Sequence, residues 1–166
     1  MGDTRCLLDL VDYVAHDNLP ERGHRPDASS TVLTMATHWT LGCDANDPHR
    51  LAKFWAKALG YISEPGYDNP DGASIIDPDG RKPAISWLRV PETKLAKNRL
   101  HIDIRVAGEP PWDWAERASL IRTMVTELLE AGATQVREET YRDGADRDVL
   151  GHVVMLDPEG NEFCVA

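Results

Sequence analysis

Two histidines occupy equivalent places in a sequence that repeats its own pattern. His38 lies near the start of the strand-like stretch 37–43, and His101 lies near the start of the strand-like stretch 99–106. An imidazole can transfer protons near neutral pH or bind a metal ion through an unprotonated nitrogen. Because a duplicated module tends to place equivalent residues around one shared cavity, we expect His38 and His101 to face the same pocket.

The alternation of side chains in these stretches indicates which residues accompany the histidines. Apolar residues alternate with His38 and Thr40 in the first stretch, and with His101 and Asp103 in the second. This period of two is typical of half-buried strands, so the four polar side chains are expected on the faces away from the core. Two interpretations of Asp103 remain open: it pairs with Arg99 on the same face, or it orients the imidazole of His101.

The elements that position these residues follow one order twice. In the first copy, a helix is predicted over 48–59, between an aspartate with a following proline and a terminal glycine. Strands at 73–76 and 84–90 then flank an Asp-Pro-Asp-Gly turn. The first copy is therefore predicted to run strand, helix and a set of antiparallel strands.

The second copy repeats this order after the strand that carries His101. Its helix is predicted from about Trp114 to Ala131, where Gly132 follows as a stop signal. Strands are predicted at 134–138, 151–156 and 161–165, and loops at 108–113 and 140–148. The fold class predicted from both copies is α+β, with two β-α-β-β-β modules.

Residues 1–34 differ in composition from the rest of the chain. A short apolar patch is followed by a polar segment that is rich in turn-forming residues. We interpret 1–34 as an N-terminal extension, a short helix plus a linker. The compact domain is predicted at 35–166, with module one at about 36–92 and module two at about 98–166.

Composition and charge exclude several classes of partner. The 166 residues include 18 basic and 28 acidic ones, which gives a net charge of -10 without a basic stripe. Neither nucleic acid nor a membrane is therefore an expected partner, and a cytoplasmic location is expected. The three cysteines, Cys6, Cys43 and Cys164, lack the spacing of a disulfide framework or a zinc knuckle.

The order of several short motifs resembles the vicinal oxygen chelate superfamily, which includes glyoxalases, bleomycin-resistance proteins and extradiol dioxygenases. The resemblance covers about residues 36–166 and is greatest to a glyoxalase-like branch found in bacteria. The motifs that carry it are THWT at 37–40, DPHRLAKFW at 47–55, LGY at 59–61, KNRLHID at 97–103 and LDPEGNEFC at 156–164. It implies that the two modules curve their sheets into one cup, with helices outside and a ligand inside.

The resemblance also implies positions for a metal site, and this chain departs from them. Metal-dependent members hold a divalent ion through first-strand residues and last-strand glutamates, and His38 and His101 match the first-strand positions. Cys164 stands where the second glutamate is expected, and only Ser86 or Leu88 is available at the first. Two imidazoles and a thiolate suit zinc better than a hard ion. Two interpretations remain open: His38, His101 and Cys164 form an open three-ligand zinc site, or the two histidines form hydrogen bonds to a ligand and Cys164 is a packing residue.

Three functions remain open at this point. The leading hypothesis is a glyoxalase-like protein without the full metal set, which binds a small organic molecule and uses His38, His101 and Asp103 in catalysis if it is an enzyme. The alternatives are a metal-dependent lyase, isomerase or dioxygenase, and an antibiotic-sequestering homodimer. The residues expected to contact the ligand are Thr40, Ser86, Leu88, Trp112, Glu162 and Cys164.

Overall fold

A computed structural model of the chain describes residues 38–166. The predicted extension at 1–34 lies outside the described residues and stays a prediction, as does the boundary at residue 35. In the part that is described, neither helix combines the length and the apolar character needed to cross a bilayer.

The first module has the predicted order of elements. Its strands form one four-stranded sheet, sheet A, in the order β1-β4-β3-β2, with β1 parallel to β4 and the other pairs antiparallel. The elements are β1 (Leu41–Ala45), α1 (Pro48–Leu59), β2 (Ile62–Ser63), β3 (Gly72–Ile76) and β4 (Ile85–Arg89).

The second module repeats this topology. Sheet B has the order β5-β8-β7-β6, again with one parallel pair, β5 with β8. The elements are β5 (Asp103–Ile104), α2 (Trp114–Glu130), β6 (Thr134–Arg142), β7 (Asp148–Leu156) and β8 (Glu162–Val165). The predicted fold class, α+β with two β-α-β-β-β modules, is confirmed.

Helix α1 begins and ends where its local signals predict. The carboxylate of Asp47 accepts a hydrogen bond from the backbone N–H of Arg50, and Pro48 takes the first helical position. Gly60 follows with φ of 68°, a left-handed conformation that costs glycine little. Both signals are local, which explains why sequence alone located this helix.

The two modules share one hydrophobic core. Phe54 and Trp55 of α1 pack edge-on against Phe163 of β8, with ring centroids 5.8 Å and 5.1 Å away. Close by, the buried carboxylate of Asp157 accepts a hydrogen bond from the indole N–H of Trp55 at 3.2 Å. The turn before β8 is thereby held against the first module's helix.

Glu159 strengthens this junction between the modules. Its carboxylate accepts hydrogen bonds from the backbone N–H groups of Asn46 and Asp47, at 2.9 Å and 2.6 Å. Both groups lie just before α1, at the positive end of the helix dipole, where negative charge is favoured. The second module therefore helps to cap the helix of the first.

Several predicted strand limits are wrong. Strand β1 begins at Leu41 rather than 37. Trp39 is one of the apolar residues that the alternation places on the core face of the predicted strand, but it is 63% exposed. Strand β5 contains only Asp103 and Ile104. The loop predicted at 140–148 is instead a hairpin in which β6 extends to Arg142 and β7 begins at Asp148. Register shifts in β6 and polar residues on both of its faces conceal the alternation that reveals a strand.

Candidate functional site

One face of sheet B carries most of the polar side chains that could do chemistry. Ile121, Val125 and Leu128 of α2 share the buried core with residues of β7 and β8, so one face of the sheet is covered by the helix. Since side chains alternate along a strand, the intervening residues point to the opposite face. We call that face the inner face of sheet B; it is formed by Asp103, Arg137, Glu139, Val154, Glu162 and Cys164.

Strand register places four of these residues in one row across the sheet. Asp103 of β5 lies opposite Cys164 of β8, Cys164 opposite Val154 of β7, and Val154 opposite Arg137 of β6. Cys164 and Val154 are buried, each at 2% exposure, whereas the residues at the two ends of the row are half-buried. The row therefore has polar ends and an apolar centre.

His101 and Asp103 form a hydrogen-bonded pair at one end of this row. The Nδ1 atom of His101 lies 3.0 Å from Oδ1 of Asp103. The two side chains are 13% and 21% exposed, so both are reachable from solvent but held by their surroundings. A carboxylate that accepts the Nδ1–H of an imidazole fixes its orientation and leaves Nε2 to face a ligand.

Cys164 lies beside this pair. The candidate ligating atoms of His101, Asp103 and Cys164 all lie within 4.8 Å of one another. Within residues 38–166, His38 is not part of this group; it precedes β1 and is exposed. The predicted histidine–histidine–cysteine set is thus replaced here by a histidine–aspartate–cysteine set.

Glu162 is positioned by residues of the segment between the modules. The carboxylate of Glu162 pairs with the ammonium group of Lys97 at 2.9 Å. Asn98 accepts a hydrogen bond from the backbone N–H of Glu162 and donates one to its carbonyl oxygen, each at 3.0 Å. The amide of Asn98 therefore makes the two backbone hydrogen bonds that a neighbouring strand would make, and holds the start of β8 in place.

Arg137 and Glu139 occupy the far side of the inner face. Glu138 between them contacts Arg122 of helix α2, with 3.8 Å between the charged groups, so Arg137 and Glu139 point the other way. The Nε of Arg137 donates to Oε1 of Glu139 at 2.5 Å. This hydrogen bond raises the pKa of Arg137, and the charges of Glu162 and Cys164 raise it further. The guanidinium therefore lies within electrostatic reach of β8.

Tyr141 and His152 extend the same face toward the hairpin. The hydroxyl of Tyr141 lies 2.9 Å from Nδ1 of the buried His152. The Tyr141 ring also covers Gly151, where an added Cβ atom would lie 2.8 Å from the ring. Any larger residue at 151 would displace the tyrosine.

The first-module residues that were predicted to contact the ligand are exposed or half-buried. Thr40 precedes β1 and is exposed, and Leu88 on β4 is 54% exposed. Ser86 is half-buried on β4. Ser86 and Leu88 lie on sheet A, and Thr40 lies just before it.

Trp112 lines a different cavity, of about 660 Å³, at the start of α2. Its ring packs against Trp114 with 5.4 Å between centroids, and the guanidinium of Arg117 lies 4.8 Å from the ring centre. Leu150, at the start of β7, forms another wall of the cavity. The structure groups Trp112 with the second helix rather than with His101.

Sequence reasoning missed Arg137, Glu139, Tyr141 and His152 as candidates for the site. The first three lie on β6, where polar residues on both faces hide the strand period. A signal was nevertheless present, because arginine, glutamate and tyrosine recur at every second position from 137 to 141. This alternation becomes clear only when β6 is known to extend to Arg142, beyond the predicted strand at 134–138.

The cluster is suited to proton transfer and to binding a soft divalent ion. An imidazole oriented by a carboxylate is a common general base. One nitrogen, one carboxylate oxygen and one thiolate sulfur are also donors that zinc accepts with an open fourth position. Burial of Cys164 restricts access to its sulfur, whereas the side chains of His101 and Asp103 are partly exposed.

Solved structures similar to this chain share its fold. A glyoxalase/bleomycin resistance protein/dioxygenase family enzyme from Burkholderia phytofirmans matches with a TM-score of 0.54 and 17% identity, over 76% of this chain and 94% of the other. A possible glyoxalase from Bacillus cereus matches with a TM-score of 0.50 and 15% identity, over 79% and 98%.

A fosfomycin resistance protein from Listeria monocytogenes, solved as a point mutant in complex with Mn(II) and 1S,2S-dihydroxypropylphosphonic acid, is also similar. It matches with a TM-score of 0.52 and 10% identity, over 79% of this chain and 90% of the other. At such identities the likeness establishes the fold alone. The comparison with curated proteins found no match.

The glyoxalase-like domain family matches residues 40–166, which contain all eight strands and both helices of the described part. The match and the shared fold agree with the resemblance found in the motifs. The chain belongs to the glyoxalase-like domain family.

Proposed function

We propose that this protein binds a small organic molecule at the inner face of sheet B, and that His101 transfers a proton to or from it. The observation that carries the proposal is the 3.0 Å contact between Nδ1 of His101 and Oδ1 of Asp103. In the tautomer that donates Nδ1–H to Asp103, Nε2 carries the lone pair and can accept a proton. Proton abstraction next to a carbonyl group, as in lyases and isomerases, is the reaction that this arrangement favours.

The roles of the neighbouring residues follow from their positions. Asp103 orients the imidazole and balances the positive charge that forms on it. Cys164 and Val154 supply a buried floor, so the ligand's less polar part lies between the polar ends of the row. Glu162 and Lys97 form an ion pair at the edge of the site, so the carboxylate there is neutralised.

A ligand screen tests this proposal. Small dicarbonyls, thiol adducts and cationic antibiotics are added to the protein, and a ligand specific to the folded state raises the melting temperature. The increase should disappear in His101→Ala and persist in His49→Ala, which removes an exposed imidazole from helix α1. An equal increase in both variants would exclude His101 from the binding site.

The cluster of His101, Asp103 and Cys164 supports a second candidate, a metal-dependent enzyme of the same superfamily. These residues offer donors that fit zinc and lack the several carboxylates that manganese or magnesium prefers. A bound zinc ion would polarise a ligand oxygen, while His101 and Asp103 would hold it with Cys164. The antibiotic-sequestering alternative is tested by the cationic members of the screen.

Metal analysis separates the two candidates. Protein purified without chelator should contain zinc in equal molar amount if the second candidate is right, and Cys164→Ser or His101→Ala should abolish it. Cys43→Ser is the matched control, because Cys43 lies on strand β1 outside the cluster. A wild-type protein that takes up no zinc, or binds it equally after Cys164→Ser, contradicts the metal candidate.

A further inference from the structure

Arg137 is held in an orientation that keeps its outer nitrogens available. Its Nε donates to Glu139, and among residues 38–166 its two terminal Nη groups make no hydrogen bond. The side chain is 38% exposed, so these donors can be reached by a ligand. A guanidinium anchored through Nε presents its outer nitrogens as a planar fork, which matches the two oxygens of a carboxylate.

The position of Arg137 relates it to His101. The row Arg137, Val154, Cys164 and Asp103 spans three steps between neighbouring strands, and each step is about 4.8 Å. The backbones at the two ends are therefore about 14 Å apart, and the long arginine side chain shortens the gap. A molecule a few carbon atoms long can contact the guanidinium at one end and the imidazole at the other.

The charges along the row are consistent with an anionic group at the Arg137 end. Glu162 is neutralised by Lys97 at 2.9 Å, and Glu139 is engaged with Nε of Arg137. At the other end Asp103 accepts from His101, and its negative charge repels an anion there. A small molecule with one carboxylate therefore binds best with the carboxylate beside Arg137 and its neutral, reacting part beside His101.

We propose that Arg137 determines specificity for small carboxylates, by binding the carboxylate while the neighbouring carbon lies near His101. The inference rests on the proposed function, because it assigns the substrate class of the same inner face. Glu139 is a positioning residue in this arrangement, since it holds the guanidinium without reaching the ligand itself.

Nuclear magnetic resonance of the ¹⁵N-labelled protein tests the inference with two matched pairs of probes, malonate with malonamide and phenylacetate with phenylacetamide. A carboxylate should shift the resonances of Arg137 Nε and His101 Nε2 together. The amides should bind at least about tenfold more weakly, because they lose the charge-assisted fork.

The control variant is Arg142→Gln, because Arg142 lies on the same strand but on its exposed, opposite face. Arg137→Gln should weaken carboxylate binding at least about tenfold, whereas Arg142→Gln should leave it unchanged. Equal binding of acids and amides, unchanged binding after Arg137→Gln, or no binding of the acids at millimolar concentration would each overturn the inference.

The two resonances distinguish failure of this inference from failure of the proposed function. A ligand that shifts His101 but leaves Arg137 unmoved overturns the carboxylate assignment, while binding at His101 stands. A carboxylate that shifts the resonance of Arg137 but not that of His101 would contradict the proposed proton transfer by His101. It would also contradict the position of the substrate carbon near His101.

Discussion

The imidazole of His101, just before β5, is held by Asp103, two residues further along the chain, through a 3.0 Å contact between Nδ1 and Oδ1. Extended backbone places residues i and i+2 on one side, so the pair arises from local geometry. Parallel pairing of β5 with β8 then brings Cys164 alongside. The candidate site thus combines a local pair with one residue from the last strand, β8.

Asp103→Asn should change the tautomer of His101 more than it changes the fold. The amide cannot balance an imidazolium and can donate to Nδ1, so the population with the proton on Nδ1 should fall. Because Asp103 is partly exposed, the free energy of unfolding should decrease by no more than about 1 kcal/mol. Imidazole ¹⁵N chemical shifts measure the tautomer, and chemical denaturation measures the stability.

His152 is the internal control for this measurement, because its Nδ1 contacts Tyr141 rather than an aspartate. Its resonances should stay where they are in Asp103→Asn. An unchanged His101 spectrum would mean that Asp103 does not set the tautomer.

Glu159→Gln should destabilise the protein by about 1–2 kcal/mol, since a charged acceptor for two backbone donors at the start of α1 is lost. Urea denaturation monitored by tryptophan fluorescence measures the change. Glu138→Gln is the matched control, because its 3.8 Å contact with Arg122 lies on the surface and should contribute less than about 1 kcal/mol. Equal effects of the two substitutions would contradict the capping role.

The carboxylate of Asp77 should titrate below the usual range for aspartate. A hydrogen bond from the backbone N–H of Asp79 lowers its pKa most, and those from Lys82 and Arg81 lower it further. A lowered folded pKa means that this contribution to stability is complete above the unfolded pKa of about 3.9, and is lost as pH falls through the folded pKa.

Carboxyl ¹³C chemical shifts recorded from about pH 2 to about pH 6 would follow this titration, since the range extends about two units on each side of the usual pKa. In Asp77→Asn, the stability lost between neutral and acidic pH should be smaller than in the wild type. A midpoint for Asp77 above that of the unfolded chain would show that the turn does not stabilise the charged form.

The thiol of Cys43 should react slowly with alkylating reagents in the folded protein. Burial raises its pKa, and the carboxylates of Asp157 and Asp44 raise it further, so less thiolate is present at about pH 8 than in an unfolded chain. The contribution of this thiol to stability is complete below its unfolded pKa and decreases as pH rises through the folded pKa.

Peptide mass spectrometry after timed alkylation measures the rate at Cys43. Asp44→Asn should increase it, by less than about tenfold because Asp44 is the smallest of the three causes. Asp68→Asn, an exposed change elsewhere, should leave the rate unaltered. Identical rates in the two variants would exclude an electrostatic effect of Asp44.

Local signals in the sequence predicted part of this structure well. The caps at Asp47 and Gly60 located helix α1, because each acts on backbone groups within a few residues. The pairing of His101 with Asp103 was one of two interpretations, and it too depends on neighbours along one strand. The repeat of modules correctly predicted the fold.

Features that depend on distant residues were not predictable in the same way. Arg137 reaches the row of Cys164 only through the register of β6 with β7 and of β7 with β8, and bulges shift that register. His38 was expected to face His101, but the strand that was to carry it begins three residues later, at Leu41. Strand limits at a sheet edge depend on pairing, and the alternation of side chains alone does not specify them.

The central claim is that a small organic molecule binds beside His101, and imidazole-detected NMR during a ligand titration tests it most directly. A ligand that raises the melting temperature should move the Nε2 resonance of His101 in proportion to occupancy, and leave that of His49 on helix α1 unchanged. A stabilising ligand that leaves His101 unmoved throughout the titration would contradict the account.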